Sequence, residues 1–344
     1  MGTDMTFRSQ HISGRAFTLI EVMVSITVLV LLMGILFSIT SQTQALWKNT
    51  QGKVETFRAG RNGFESINRH LRQATLNTYW DYDSVINPTI YQRRSELRFI
   101  SGPASQLGLN ATCYTHAIFF QGPFGYSSVT SGNTPLPAAL NTWGCYVALT
   151  DGTAALPTFL KAVTPARWRL RLYEMIEPST NLTLYTVTSG NATTTSPAWF
   201  QTPLATAAYS HELAENVIAV IFRPKQSTAS GTVTAADLTA QVSLAPDYIY
   251  DSSGGLSGSA ASVQTAQLPP MVQVTVVAMA EASAVRFSQA QLQAIATKAD
   301  GYFTNSASSM ESNLASLQTY LDGQHINYKI FTSNVNISGS KWSK

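Results

Sequence analysis

Apolar residues along this chain come first as one unbroken block, then at helical spacing, then as short runs separated by polar clusters. Phe17 to Thr40 reads FTLIEVMVSITVLVLLMGILFSIT, with Glu21 as its one ionisable side chain and nothing charged from Val22 to Ile39. A block of about 18 or more apolar residues predicts a membrane-spanning helix. From Ser41 to about Leu76 the apolar positions Leu46, Val54, Phe57, Phe64, Ile67 and Leu71 fall mostly three, four or seven apart, which is a helical stripe. No proline occurs between Phe17 and Pro88, so both segments can join in one helix of about 60 residues. Gly34, Gly52, Gly60 and Gly63 are its weak points, each costing up to about 1 kcal/mol relative to alanine.

Beyond Asn77 the pattern shortens. Glu96 to Ser101, His116 to Gln121, Cys145 to Thr150, Trp168 to Tyr173, Asn216 to Arg223 and Met271 to Met279 predict strands. Between them Thr180 to Thr202, Gln226 to Pro246 and Ser252 to Gln267 are of low complexity and predict long surface loops that bury little. Helical spacing returns in Ser288 to Ala299 and Ser309 to Asp322, and Ile326 to Ile337 predicts a closing strand.

Composition narrows the class. Only 12% of the 344 residues are charged, about half the roughly 25% of ordinary soluble domains. The polar surface must then come from Ser, Thr, Asn, Gln and Gly, which suits an exported β-rich domain or a packed filament better than a cytosolic enzyme. A net charge of +3 gives no reason to expect a nucleic-acid partner. In the stem, Lys48, Lys53, Arg58, Arg61, Arg69 and Arg72 against Glu55 and Glu65 read as a solvated face. Arg8 and Arg15 before the apolar block and Lys48 and Lys53 after it nearly balance, so charge alone leaves orientation weakly determined.

The junction ahead of the block carries more information. A short hydrophilic leader ends Ser13-Gly14-Arg15-Ala16, directly before Phe17-Thr18-Leu19-Ile20-Glu21. This resembles the class III signal of type IV prepilins and pseudopilins, in which a basic leader and a small residue precede Phe-Thr-Leu-Ile-Glu and a long apolar helix. Such leaders usually end in glycine, whereas here Ala16 precedes Phe17. Cleavage between Ala16 and Phe17 keeps Glu21 fifth in the mature chain. The resemblance implies that a prepilin peptidase cuts there on the cytoplasmic side and methylates the amine of Phe17. It also implies that Glu21 pairs with the mature N-terminus of a neighbouring subunit, as a carboxylate buried in an apolar bundle needs a cationic partner.

Farther along, Glu215 to Phe222 and Leu268-Pro269-Pro270-Met271 with the following strand resemble the body of the J-type minor pseudopilin of type II secretion. Val276-Val277-Ala278-Met279-Ala280-Glu281, Asn327-Tyr328-Lys329-Ile330-Phe331 and Lys341-Trp342-Ser343 are similar to the pilin-like family called Verru_Chthon cassette protein C. The implied fold is α+β and type IV pilin-like, a long N-terminal helix packed on an antiparallel head with long loops. The implied organisation is a leader at 1–16, a transmembrane and assembly helix at 17–40, an amphipathic stem at 41–76 and an extracytoplasmic head at 77–344. The expected protein is a minor pilin or pseudopilin of the bacterial inner membrane, with its head periplasmic or in a filament. Its partners would be other pilin-like subunits and prepilin peptidase, with no cofactor, no small-molecule substrate and no enzymatic activity. The alternative is an anchored binding or adhesion protein that does not polymerise.

Other constellations are weaker. Cys113 and Cys145 lie in the exported part, where an oxidising compartment favours pairing, so a disulfide is expected. His211-Glu212-Leu213-Ala214-Glu215 begins like a zinc-protease helix but lacks the second histidine, so no metal is expected. Asp247 and Asp251 offer two carboxylates, too few for a calcium loop. Arg167, Arg169 and Arg171 alternate with Trp168, Leu170 and Leu172, which places three cations on one strand face; such a stripe could attract DNA but usually reads as a solvated strand face.

Overall fold

A computed structural model describes residues 18–84, 86–128, 138–153, 156–161, 163–188, 196–226, 244–256 and 264–340. The chain divides into two compact units, Met1–Gln51 and Gly52–Lys344. Helix α1 (Leu19–Arg72) starts in the first and ends in the second, four residues short of the expected end near Leu76.

In the first unit every described side chain is exposed, including Leu19 at 78% and Phe37 at 81%. Its hydroxyls do not interrupt the apolar surface. Ser25, Thr27, Thr40, Ser41 and Thr43 each donate to a carbonyl three or four residues earlier in the helix. Such back-bonding satisfies a polar side chain within its own helix, as an apolar medium requires.

The second unit is the head. Its strands in chain order are β1 (Tyr79–Tyr82), β2 (Tyr91–Arg94), β3 (Phe99–Pro103), β4 (Cys113–Pro123), β5 (Leu140–Thr150), β6 (Arg169–Glu177), β7 (Ser210–Glu215), β8 (Val217–Lys225), β9 (Tyr250–Asp251), β10 (Met271–Met279) and β11 (Tyr328–Asn336). Among the described residues they form a β1-β2 hairpin, a six-stranded sheet in the order β7-β6-β5-β4-β3-β9, and a three-stranded sheet in the order β11-β10-β8. All the ladders are antiparallel. The helices after α1 are α2 (Thr158–Lys161), α3 (Thr183–Thr188), α4 (Ala198–Leu204), α5 (Glu281–Ala284), α6 (Gln289–Tyr302) and α7 (Met310–Gly323). This α+β architecture, an apolar N-terminal helix followed by antiparallel sheets, fits the expected type IV pilin-like fold.

Two cores hold the head, one on each face of the six-stranded sheet. Ile118, Phe120, Cys145 and Val147 face the first, with Ile67 and Leu71 of α1, Val217 to Phe222 of β8, Val272 to Val276 of β10, and Leu292 and Leu317 of α6 and α7. Ala117, Phe119, Tyr146 and Ala148 face the second, which α3 and α4 close with Leu184, Trp199 and Phe200. Burial on both faces explains why β4 and β5 read as continuous apolar runs rather than alternating ones.

Two of the glycines read as weak points of the helix, Gly60 and Gly63, have a packing reason. Gly60, Gly63, Ile67 and Leu71 form one buried stripe of α1. A Cβ at Gly63 would stand 2.9 Å from Leu172 Cδ2, and one at Gly60 would stand 3.0 Å from Ala278 Cβ. Glycine thus lets the helix approach both sheets. The opposite face keeps Arg58, Arg61, Arg69 and Arg72 exposed, as a solvated stem face should.

Thr180 to Thr202 is not all loop: it contains α3 and part of α4, whose Trp199 and Phe200 are buried. Two adjacent aromatics supply the buried area that the surrounding Thr, Ser and Asn cannot. Residues 189–195, 227–243 and 257–263 of the three expected loops lie outside the described residues.

Candidate assembly helix and its processing junction

Ala16 and Phe17, the expected cleavage pair, lie outside the described residues, so the junction is visible only from Thr18 onward. There the geometry is specific. The Thr18 N–H and hydroxyl each donate to Glu21 Oε2 at 3.1 Å, and the Glu21 N–H donates back to Thr18 Oγ1 at 3.4 Å. This reciprocal pair is a capping box, in which Thr-x-x-Glu satisfies two of the donors that a helix start leaves without partners. The carboxylate also sits at the positive end of the helix dipole. Glu21 therefore has a local role besides the intermolecular one expected for it. The Thr18-Leu19-Ile20-Glu21 spacing was the signal for it.

Leu19–Gln44 is long and apolar enough to cross a membrane, with a mean hydropathy of 2.7. An exposed apolar surface of this extent needs a cover of lipid or other apolar helices. What the site offers is thus one carboxylate at the start of a bare apolar helix, which is an arrangement for insertion and association.

The cysteines do not pair. Cys113 lies opposite Ala148, and Cys145 lies opposite Ile118. Cys145 and Ala148 are three residues apart on β5, so Cys113 and Cys145 stand roughly 10 Å apart along the sheet and on opposite faces. Accordingly Cys145 packs in the first core and Cys113 against the second, and both thiols are free. A disulfide needs Cα atoms within about 7 Å, so the expected bridge is overturned by register. Burial pushes the Cys113 thiol up to about 11 and that of Cys145 well above its ordinary range, which leaves both unreactive while folded. Denaturing the protein with an alkylating reagent and no reductant should label both cysteines. A mass spectrum showing no label would restore the bridge.

The arginine stripe is not a solvated face. Arg169 and Arg171 are buried, with side chains 8% and 3% exposed. Arg169 meets Glu281 at 2.9 Å, Arg171 meets Glu212 and Glu215 at 3.0 Å each, and Arg167 bridges Glu215 at 2.9 Å and Glu281 at 3.0 Å. Burial opposes ionisation of Glu281. Hydrogen bonds from Arg169 and Asn216, with the charges of Arg169 and Arg167, outweigh it and hold the carboxyl below its ordinary value. Three cations answered by three carboxylates leave little charge for a polyanion to find, and the partners were invisible to local reading because they lie 41 to 114 residues away in the chain.

Asp251 is spent on its own turn, accepting from the N–H and hydroxyl of Ser253 and the N–H of Leu256. Among the described residues no three His, Cys, Asp or Glu side chains gather as metal ligands. His211 and Glu212 lie on β7 rather than on a helix, so the zinc-protease spacing has no helical face to act from.

Residues 14–37 match the prokaryotic N-terminal methylation motif, the type IV pilin signal. No curated protein and no solved structure matches the chain. The motif, the apolar helix that carries it and the antiparallel sheets that follow support a pilin-like protein with a single-pass membrane anchor.

Proposed function

We propose that this chain is a minor pilin or pseudopilin, a structural subunit and not an enzyme. It inserts in the bacterial inner membrane, is processed by prepilin peptidase, and joins or primes a type IV pilus-like or type II secretion-like filament. The observation that carries this reading is the methylation motif at residues 14–37, laid over the start of an apolar helix whose described side chains in the first unit are all exposed. Lipid covers that helix before assembly and neighbouring apolar helices cover it afterwards, with the head outside the cytoplasm. Glu21 then answers the methylated amine of Phe17 on the adjacent subunit.

Co-expression with an active prepilin peptidase tests this. The mature protein should lack residues 1–16 and begin with a methylated Phe17. An intact leader under those conditions, measured by mass spectrometry, would reject the reading. Cleavage after Gly14 would keep the family and move Glu21 out of fifth place.

The capping box favours a second reading. An anchor that never polymerises would also use Glu21 to start its helix, and the head would then be a tethered binding or adhesion domain.

A further inference from the structure

Apart from the short β1-β2 hairpin, the described strand edges of the head are closed in different ways, with one exception. The outer edge of β8 is met by side chains: Thr115 Oγ1 accepts from the Val220 N–H and His116 Nδ1 accepts from the Phe222 N–H. At the ends of the six-stranded sheet, β9 has two residues and β7 carries Glu212 and Glu215 beside a register shift. β11 keeps only the least of these protections, one charge. It pairs with β10 over nine consecutive positions without a bulge, contains no proline, and bears one charge, Lys329. Among the described residues no strand lies on its other side. A long regular edge of this kind is a template for another strand.

Beside that edge runs an open groove of about 770 Å³ between α1 and β11. Four consecutive β11 residues, Lys329 to Thr332, line it. Side chains alternate between sheet faces, so a groove over one face would meet every second residue. Contact with four in a row means that it reaches the β11 backbone as well as the Lys329 and Phe331 side chains turned towards α1. Phe57, Phe64 and Phe331 make its floor apolar, and Arg58, Arg61 and Lys329 outnumber the single acid Glu65. Arg61 is paired with Glu65 at 2.8 Å, and the Lys329 ammonium rests 5.5 Å from the Phe331 ring centre and 5.9 Å from that of Phe57. Arg58 and Lys329 have no ion-pair partner among the described residues.

We propose that β11 receives an extended, acid-bearing segment of a partner protein, which adds as a fourth strand and sets alternate side chains in the α1–β11 groove. Backbone hydrogen bonds along the free edge would supply affinity, and pockets for alternate side chains would supply selectivity, as in strand addition generally. Charge decides the kind of segment. A carboxylate entering the groove meets Arg58 and Lys329, whereas a cationic segment, or a second copy of this edge with its own Lys329, brings like charges together. The inference stands on the head alone and does not depend on processing or polymerisation.

A labelled ten-residue peptide alternating glutamate with valine and phenylalanine tests it, against the full chain in zwitterionic lipid nanodiscs, with empty nanodiscs as the blank. Saturable binding by fluorescence anisotropy is expected, at least tenfold weaker when the glutamates are lysines and lost when alternate peptide amides are N-methylated. Arg58→Glu with Lys329→Glu should reverse the preference, and both sites are at the surface, where the fold tolerates the change. Absence of saturable binding, equal binding of the acidic and basic peptides, or acidic binding that survives the charge reversal would overturn the proposal. Indifference to N-methylation would also overturn it, since the groove would then be reading side chains of a helix.

Discussion

Replacing His116 by leucine should destabilise the head by about 2 to 5 kcal/mol at neutral pH, because a buried imidazole satisfies two backbone groups that leucine leaves bare. The Phe222 N–H donates to Nδ1 at 3.0 Å, which leaves the ring proton on Nε2, where it is donated to the Phe303 carbonyl at 2.8 Å. His116 thereby ties β4 to the edge of β8 and to the end of α6. The neighbouring Thr115, at φ 59°, is a β-branched residue in the left-handed region, a strained conformation. The bulge it creates turns both side chains towards β8, and its own N–H donates to Asp300 at 2.9 Å. Because protonation would cost the acceptor at Nδ1 and bury a charge, desolvation holds the His116 pKa down to about 4 against an ordinary 6.5. The unfolded chain therefore takes up a proton below pH 6.5 that the folded head refuses. Its contribution to stability is complete above 6.5 and falls by ~3 kcal/mol as pH drops to about 4. Urea unfolding of the full chain in detergent, followed by fluorescence of the buried Trp143 and Trp199, should show wild type and His116→Leu converging over this range. A stability gap that stays constant with pH would mean that His116 is not the titrating group.

Much of this head was legible because hydrophobic pattern and strand length agree, as at Met271–Met279, where the observed strand has the expected ends. What was missed has identifiable causes. The β1-β2 hairpin carries no apolar alternation. It is held by Asp83, which accepts from the hydroxyl and N–H of Thr89 across the turn, and by stacking of Trp80 on Tyr91. The strand β7 is short and polar, and makes sense only beside the arginines of β6. His116 looked like one more residue of an apolar run, because its partners at Phe222 and Phe303 lie 106 and 187 residues away. The α1–β11 groove joins residues near opposite ends of the chain, and only the fold brings them together. At the candidate assembly site the failure was of a different kind. The Thr18-x-x-Glu21 spacing stands in the sequence and states a capping box, and the same carboxylate fits the intermolecular role that the prepilin resemblance implies.

The two roles of Glu21 can be separated. Glu21→Ala should leave insertion and leader cleavage intact while co-purification with filament partners from membranes falls at least tenfold. As a monomer, the variant loses one side of a capping box, worth about 1 kcal/mol, and gains a more apolar start to a helix that lipid already accepts. In a packed bundle the change is much larger. There the amine of Phe17 on the neighbour would be buried without a counter-charge, at a cost of several kcal/mol. Thr18→Ala supplies the control that alanine at Glu21 lacks. It removes the Thr18 hydroxyl that shares Oε2 and accepts from the Glu21 N–H, and it leaves the carboxylate in place. If Glu21 serves only to start its own helix, the two variants should behave alike, with recovery near that of wild type in both. If it neutralises a neighbour, Thr18→Ala should assemble and Glu21→Ala should not. Glu21→Gln should fail with Glu21→Ala, because an amide keeps the side-chain size and an acceptor oxygen but no longer cancels the amine charge. Equal recovery of all three variants with the wild-type protein would remove the assembly role and leave a tethered exported domain.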